Sequence, residues 1–139
     1  MRTSRLLERR RGGTAIEFAL TLPVFLTLIF GMIDYGLYFA GQATLDSVTG
    51  ANCRSGAELD PMIFDVPTET ENNLETVLNT LPLITCAGGG CSVSAQLDGT
   101  APAQLLFCEA TAGFQSLTGF TPVPQSIRST SVQRMEWQR

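Results

Sequence analysis

The sequence predicts an α+β protein in which one long N-terminal helix, transmembrane and then amphipathic, is followed by a small domain containing a short helix and an antiparallel sheet of three or four strands. Three observations predict it. An arginine-rich leader runs directly into a long apolar segment, Ala15 to Ile33, AIEFALTLPVFLTLIFGMI. A second segment, ending before Pro82, repeats its apolar residues at helical spacing. From Cys91 onward the period shifts to two, which is the spacing of a half-buried strand.

Composition narrows the function before any motif is considered. The chain has 139 residues, enough for one modest domain once a membrane segment is set aside. Histidine and lysine are both absent, which removes histidine general bases, histidine metal ligands and lysine Schiff bases. The expectation is a protein that is not an enzyme and needs no cofactor. Charge is distributed asymmetrically. Residues 1–12 carry five arginines against Glu8, a net of +4, and the rest of the chain carries four arginines against twelve acids, a net of −8. An acidic remainder lacks the basic patches that phosphate binding requires, so nucleic acid is not expected as a partner.

The apolar run from residue 13, extended through Tyr38 and Phe39, exceeds the roughly 20 residues needed to cross a bilayer. A cleaved secretory signal has a shorter run that ends in small residues, whereas this one stays bulky and continues into a further helical pattern. The expected organisation is a basic leader at 1–12, a transmembrane helix at 13–39, an amphipathic extension at 40–58 and a small extracytoplasmic domain at 59–139. Excess arginine on the N-terminal side places that end in the cytoplasm. Pro23 removes a backbone donor inside the helix, and a bend is expected there. Gly31, Gly36 and Gly41 follow at intervals of five, unlike the four-residue spacing of a helix-dimer face.

In the extension, Leu37, Ala40, Thr44, Val48 and Ala51 recur at three and four residues, with Leu45 widening the stripe. A continuous helix from Gly13 to Ala57 would be about 68 Å long at 1.5 Å per residue. The alternative is a break at Gly36 or Gly41 and a separate short helix.

Asp60-Pro61 and Val66-Pro67 bracket a connector. Thr68 and Glu71 form a capping-box pattern, and Leu74, Val77, Leu78 and Leu81 supply a helical apolar face. Cys91, Val93, Ala95 and Leu97 alternate with polar residues as a strand, with Leu83 to Cys86 a candidate hairpin partner across Ala87 to Gly90. Leu105 to Glu109, after the Asp98-Gly99 turn signal and Pro102, is another short strand. Ser126 to Trp137 is the final one. Residues 113–124 read as an irregular loop.

Cys53, Cys86, Cys91 and Cys108 all lie on the far side of the hydrophobic segment from the arginines. On an extracytoplasmic side an even count indicates two disulfides, with three pairings open. The Gly-rich turn between Cys86 and Cys91 favours that short loop, leaving Cys53 with Cys108. Zinc is the competing reading, and the irregular spacing fits it poorly.

The segment Arg9-Arg10-Arg11-Gly12-Gly13-Thr14-Ala15-Ile16-Glu17-Phe18, followed at once by the hydrophobic helix, resembles the processing site of prepilins. It is most similar to the tight-adherence (Tad/Flp) branch of type IV pili, in which a glycine precedes the cut and a Glu followed by an aromatic lies just inside the run. Cutting between Gly12 and Gly13 would make Glu17 the fifth mature residue. Leu22-Pro23, the chain length and the closing Ser129 to Glu136 resemble TadE-like pseudopilins rather than the very short major Flp pilins. The resemblance implies a pilin-like fold and a minor pilin of the bacterial inner membrane, cleaved by a membrane aspartyl prepilin peptidase. Its implied partners are the major pilin, other minor pilins, the inner-membrane assembly platform and membrane lipid. Glu17, with Phe18 beside it, takes the assembly role in such proteins, pairing with the amine of a neighbouring processed chain.

Each element also has a physical reading of its own. Adjacent glycines leave a thin, extensible backbone for a protease cleft, and the arginines hold that bond on the cytoplasmic side. An ionisable group inside a membrane segment costs on the order of 2.5–3.5 kcal/mol at the helix centre, so Glu17 invites a partner. A rival reading is an uncleaved single-pass, signal-anchored envelope protein with a disulfide-bonded binding domain. Glu69, Glu71 and Glu75 form an acidic helix face rather than a paired-carboxylate site. Phe114 and Phe120 pack under a loop, or form a docking surface.

Overall fold

The structure, a computed structural model, describes residues 4–136 apart from residues 83, 85, 87–89, 101, 102 and 120, with the backbone alone for residues 4–12. The element order is α1 (Ser4–Ala57), α2 (Val66–Leu78), β1 (Ser92–Asp98), β2 (Leu105–Gly113) and β3 (Ser126–Arg134). The arrangement is α+β: a long apolar helix, a short helix and a three-stranded antiparallel sheet.

Helix α1 is continuous over 54 residues and passes through Pro23, Gly36 and Gly41 without interruption. The break considered at Gly36 or Gly41 does not occur. Proline there leaves the Ala19 carbonyl without its ladder donor, and the helix is maintained by the turns on either side. Only the C-terminal half of α1 is packed. The buried line along it is Asp34, Gly41, Leu45, Thr49, Cys53 and Gly56, while Ala40 and Ala51 are exposed. The stripe expected from hydrophobic spacing is therefore rotated from the real one. Besides Leu45 and Cys53, the packed face uses an acid, two glycines and a threonine, and hydropathy does not register those as core.

Helix α2 begins earlier than the capping-box pattern implies. Asp65 is its N-cap residue, with a proline in the first turn. The Thr68 hydroxyl donates to Asp65 Oδ2 at 2.8 Å. Glu71 turns away from the helix start and accepts the Ala95 N–H of β1 at 2.7 Å. A strand that carries outward-facing amides at the edge of a sheet gains a partner in this way. Pro67 thus initiates α2 instead of closing a connector. The helix ends at Leu78, and Leu81 packs against the core from beyond it.

The sheet order is β1-β2-β3, both pairs antiparallel. Gly99, after the Asp98 turn signal, has φ +88°, a conformation that favours glycine. Strand β2 extends to Gly113 because Ala110 and Ala112 continue its inward alternation after Leu106 and Cys108. Strand β3 closes at Arg134, short of the expected end, and Trp137 lies outside the described residues. Among the described residues there is no fourth strand: Ile84 and Cys86 are not in one, and β1 takes β2 as its partner. The other residues of that expected hairpin, Leu83, Thr85 and Ala87 to Gly89, lie outside the described set, as does Pro102.

One core layer joins Leu45 of α1, Leu74 and Leu78 of α2, Ala110 and Ala112 of β2, and Ile127 of β3. A second joins Cys53 and Ala57 to Val66, Leu106, Cys108 and Met135. Small residues on β2 let α1 lie close to the sheet. At Gly56 both α2 and the sheet come close, for a β-carbon there would fall 2.1 Å from Thr70 Oγ1 and 3.1 Å from Leu106 Cδ2.

Candidate functional site

Gly12 and Gly13 both lie within α1, and nothing approaches within 4 Å of the position a β-carbon would take on Gly13. From Gly13 to Leu28 every residue is exposed, on all sides of the helix. Phe18 is 65% exposed and Leu20 72%. A core helix of a soluble domain would bury its most apolar stretch, but here none of that stretch is buried. The helix is long and apolar enough to cross a membrane. A single N-terminal apolar helix of this kind, unburied by the folded domain, suggests a membrane anchor.

Hydroxyl groups within the bare stretch are turned onto the helix itself. Thr21 Oγ1 donates to the Glu17 and Phe18 carbonyls at 3.1 and 3.2 Å, and Thr27 Oγ1 to the Val24 carbonyl at 2.8 Å. Polar atoms satisfied within the helix cost little in lipid. Glu17 is exposed and stands one helical turn from Gly13, on the same face of the helix.

Basic leader, paired glycines, Glu17 and an unburied apolar helix lie on one continuous element. Residues 12–51 match the family of TadE-like proteins. The segment is TadE-like. No curated protein and no solved structure matches the chain. The TadE-like segment starts at Gly12 and ends within the last turns of α1, so α2 and the sheet lie outside it.

Inside the TadE-like segment the structure identifies a residue that the sequence reading passed over. Asp34 is fully buried although it follows an apolar run. Its Oδ1 accepts the backbone N–H groups of Leu117 and Thr118 at 3.1 and 3.2 Å. Its Oδ2 accepts the hydroxyls of Thr118 and Thr121, the latter at 2.6 Å. Four donors from one loop converge on a single carboxylate, which is how a buried charge is made tolerable. Tyr35 adds a hydroxyl donated to the Pro122 carbonyl at 3.3 Å. The available signal was an acid within Met32-Ile33-Asp34-Tyr35, where no basic residue of the sequence stands near it.

The four cysteines pair with one another. Cys53 and Cys108 are bonded at 2.07 Å across 55 residues, and Cys86 and Cys91 at 2.03 Å across five. The first ties α1 to β2. Phe114 is buried edge-on to Tyr38 of α1, with ring centroids 5.5 Å apart. Phe120 lies outside the described residues. Of the three acids on α2, Glu71 serves β1, while Glu69 and Glu75 are exposed.

Proposed function

We propose that this chain is a minor pilin of the Tad/Flp type. It enters the bacterial inner membrane as a single-pass precursor with its N-terminus in the cytoplasm. A prepilin peptidase cuts it between Gly12 and Gly13, and it then joins the major pilin and other minor pilins at the inner-membrane assembly platform. The chain performs no chemistry of its own.

The observation that carries this reading is that the TadE-like match begins at Gly12 and follows the helix whose apolar stretch the folded domain leaves bare. A surface apolar all round needs lipid or other helices against it. Lipid serves before assembly, and neighbouring pilin helices serve after it. Glu17, on the face of the new amine, supplies the charge that a neighbouring chain's ammonium would meet.

The experiment is co-expression with a prepilin peptidase, followed by intact mass and N-terminal sequencing. The mature chain should begin at Gly13. A terminus still at Met1 would overturn the assignment and leave an uncleaved, signal-anchored envelope protein.

A further inference from the structure

Asp34 is the one acidic or basic side chain between Glu17 and Asp46. Its depth follows from helix geometry. If the cytoplasmic edge of the hydrocarbon is set at Gly13, a core about 30 Å thick is crossed in about 20 residues and ends near Ile33. Asp34 then stands at the outer edge. The other faces of the helix at this level are apolar and open, with Met32 74% and Phe39 65% exposed. The carboxylate is the one charged group of the helix at this level, and the loop after β2 covers it.

That loop is fastened to the helix at the same level. Thr121 Cγ2 lies 3.4 Å from the position of a β-carbon on Gly31, and its hydroxyl reaches Asp34. Leu117, whose N–H is held by Asp34, projects outward and is 74% exposed. An isolated exposed leucine is unremarkable on a soluble surface. This one is tied through its backbone N–H to the bare apolar helix, at the outer edge of the hydrocarbon.

We propose that the loop 117–119 is a membrane-contacting collar, with Leu117 seated between the headgroups and acyl chains of the extracytoplasmic leaflet and held there by Asp34. The occupant of this surface is the bilayer itself. The inference rests on the membrane-anchor reading of α1. Asp34 has two linked effects: its charge is sealed from lipid by the loop's donors, and the same bonds set the depth of Leu117.

The test uses the full chain with its single tryptophan, Trp137, replaced by phenylalanine, in phosphatidylethanolamine and phosphatidylglycerol vesicles. The lipids carry a nitroxide either near the headgroup or near the chain end. Tryptophan is introduced singly as Leu117→Trp, as Leu26→Trp within the bare helix, or as Met62→Trp in the exposed α1–α2 connector. Leu117 is exposed, so its replacement leaves the core intact, and retention of both disulfides checks this. Leu117→Trp should show blue-shifted emission that the shallow label quenches more than the deep one. Leu26→Trp should be quenched most by the deep label, and Met62→Trp by neither. Adding Asp34→Ala to Leu117→Trp should weaken the shallow quenching. If Leu117→Trp behaves like Met62→Trp while Leu26→Trp is quenched, the collar is overturned and the anchor stands. Absence of quenching at Leu26→Trp overturns both. Quenching at Leu117→Trp that is unchanged by Asp34→Ala overturns the holding role of Asp34.

Discussion

Thr121 donates its hydroxyl to Asp34 Oδ2 at 2.6 Å, joining residues 87 apart in sequence and clamping the loop after β2 to the membrane helix. Truncation to Asp34→Ala leaves the N–H groups of Leu117 and Thr118 without their acceptor. Both amides should exchange with solvent roughly tenfold faster than in the parent chain, because local opening then no longer breaks their bonds to Asp34. Asp34→Asn retains one carbonyl oxygen for those two donors and should lie much closer to the parent. Hydrogen exchange of peptides covering the loop reads both variants.

Glu17 should matter for assembly and not for insertion. Glu17→Gln removes a charge from an apolar helix, which eases entry into lipid. Precursor level and membrane location should be unchanged. Incorporation into a multi-subunit complex should fall, since removing one member of a buried ion pair costs about 3–5 kcal/mol. Cleavage has to be measured in the same sample, because an uncut chain would also fail to assemble. Wild-type incorporation of a cleaved Glu17→Gln chain would reduce Glu17 to an interface residue.

The two disulfides should differ in what they stabilise. Cys53–Cys108 closes a loop of 55 residues and Cys86–Cys91 one of five. On the chain-entropy model their removal costs about 4 and about 2 kcal/mol respectively. Paired Cys→Ala variants, unfolded in denaturant, would show this order. Peptide mapping of the parent chain should recover both cystines and no free thiol.

Gly56→Ala tests the crossing of α1 and α2. In an open helix the change would stabilise by roughly 0.5–1 kcal/mol. Here the new methyl meets Thr70 Oγ1 at 2.1 Å and Leu106 Cδ2 at 3.1 Å, and the Thr70 hydroxyl is engaged with the Val66 carbonyl at 2.7 Å. Overpacking should dominate, with a net loss of about 1–3 kcal/mol. Adding Thr70→Ala should recover much of it, and denaturant midpoints of the two variants decide the matter.

Several elements are legible in the sequence. The apolar run after the arginines reads as a membrane helix because lipid requires an uninterrupted length of apolar side chains, a one-dimensional property. Strand β1 follows from the alternation of Val93, Ala95 and Leu97, and the face of α2 from Leu74 and Leu78. The start of α2 was misread because Thr68 and Glu71 satisfy a local pattern while Glu71 has a better partner in the Ala95 N–H, 24 residues away. The candidate hairpin before β1 is not formed at Ile84 and Cys86, the residues of it that the structure describes, and β1 takes its ladder from β2.

By itself the sequence determined that an apolar helix follows a basic leader with paired glycines and Glu17, and that a small cystine-bearing α+β domain comes after it. Local composition and spacing suffice for these because each depends on neighbours along the chain. Tertiary structure alone decided which face of α1 is buried and what Asp34 does. Gly41, Thr49 and Gly56 are core because the sheet and α2 approach the helix there, and hydropathy assigns glycine and threonine to no interior. Asp34 appears in the sequence as an isolated charge in an apolar segment. It becomes a buried clamp only when Leu117, Thr118 and Thr121 are folded back over more than eighty residues to supply its donors.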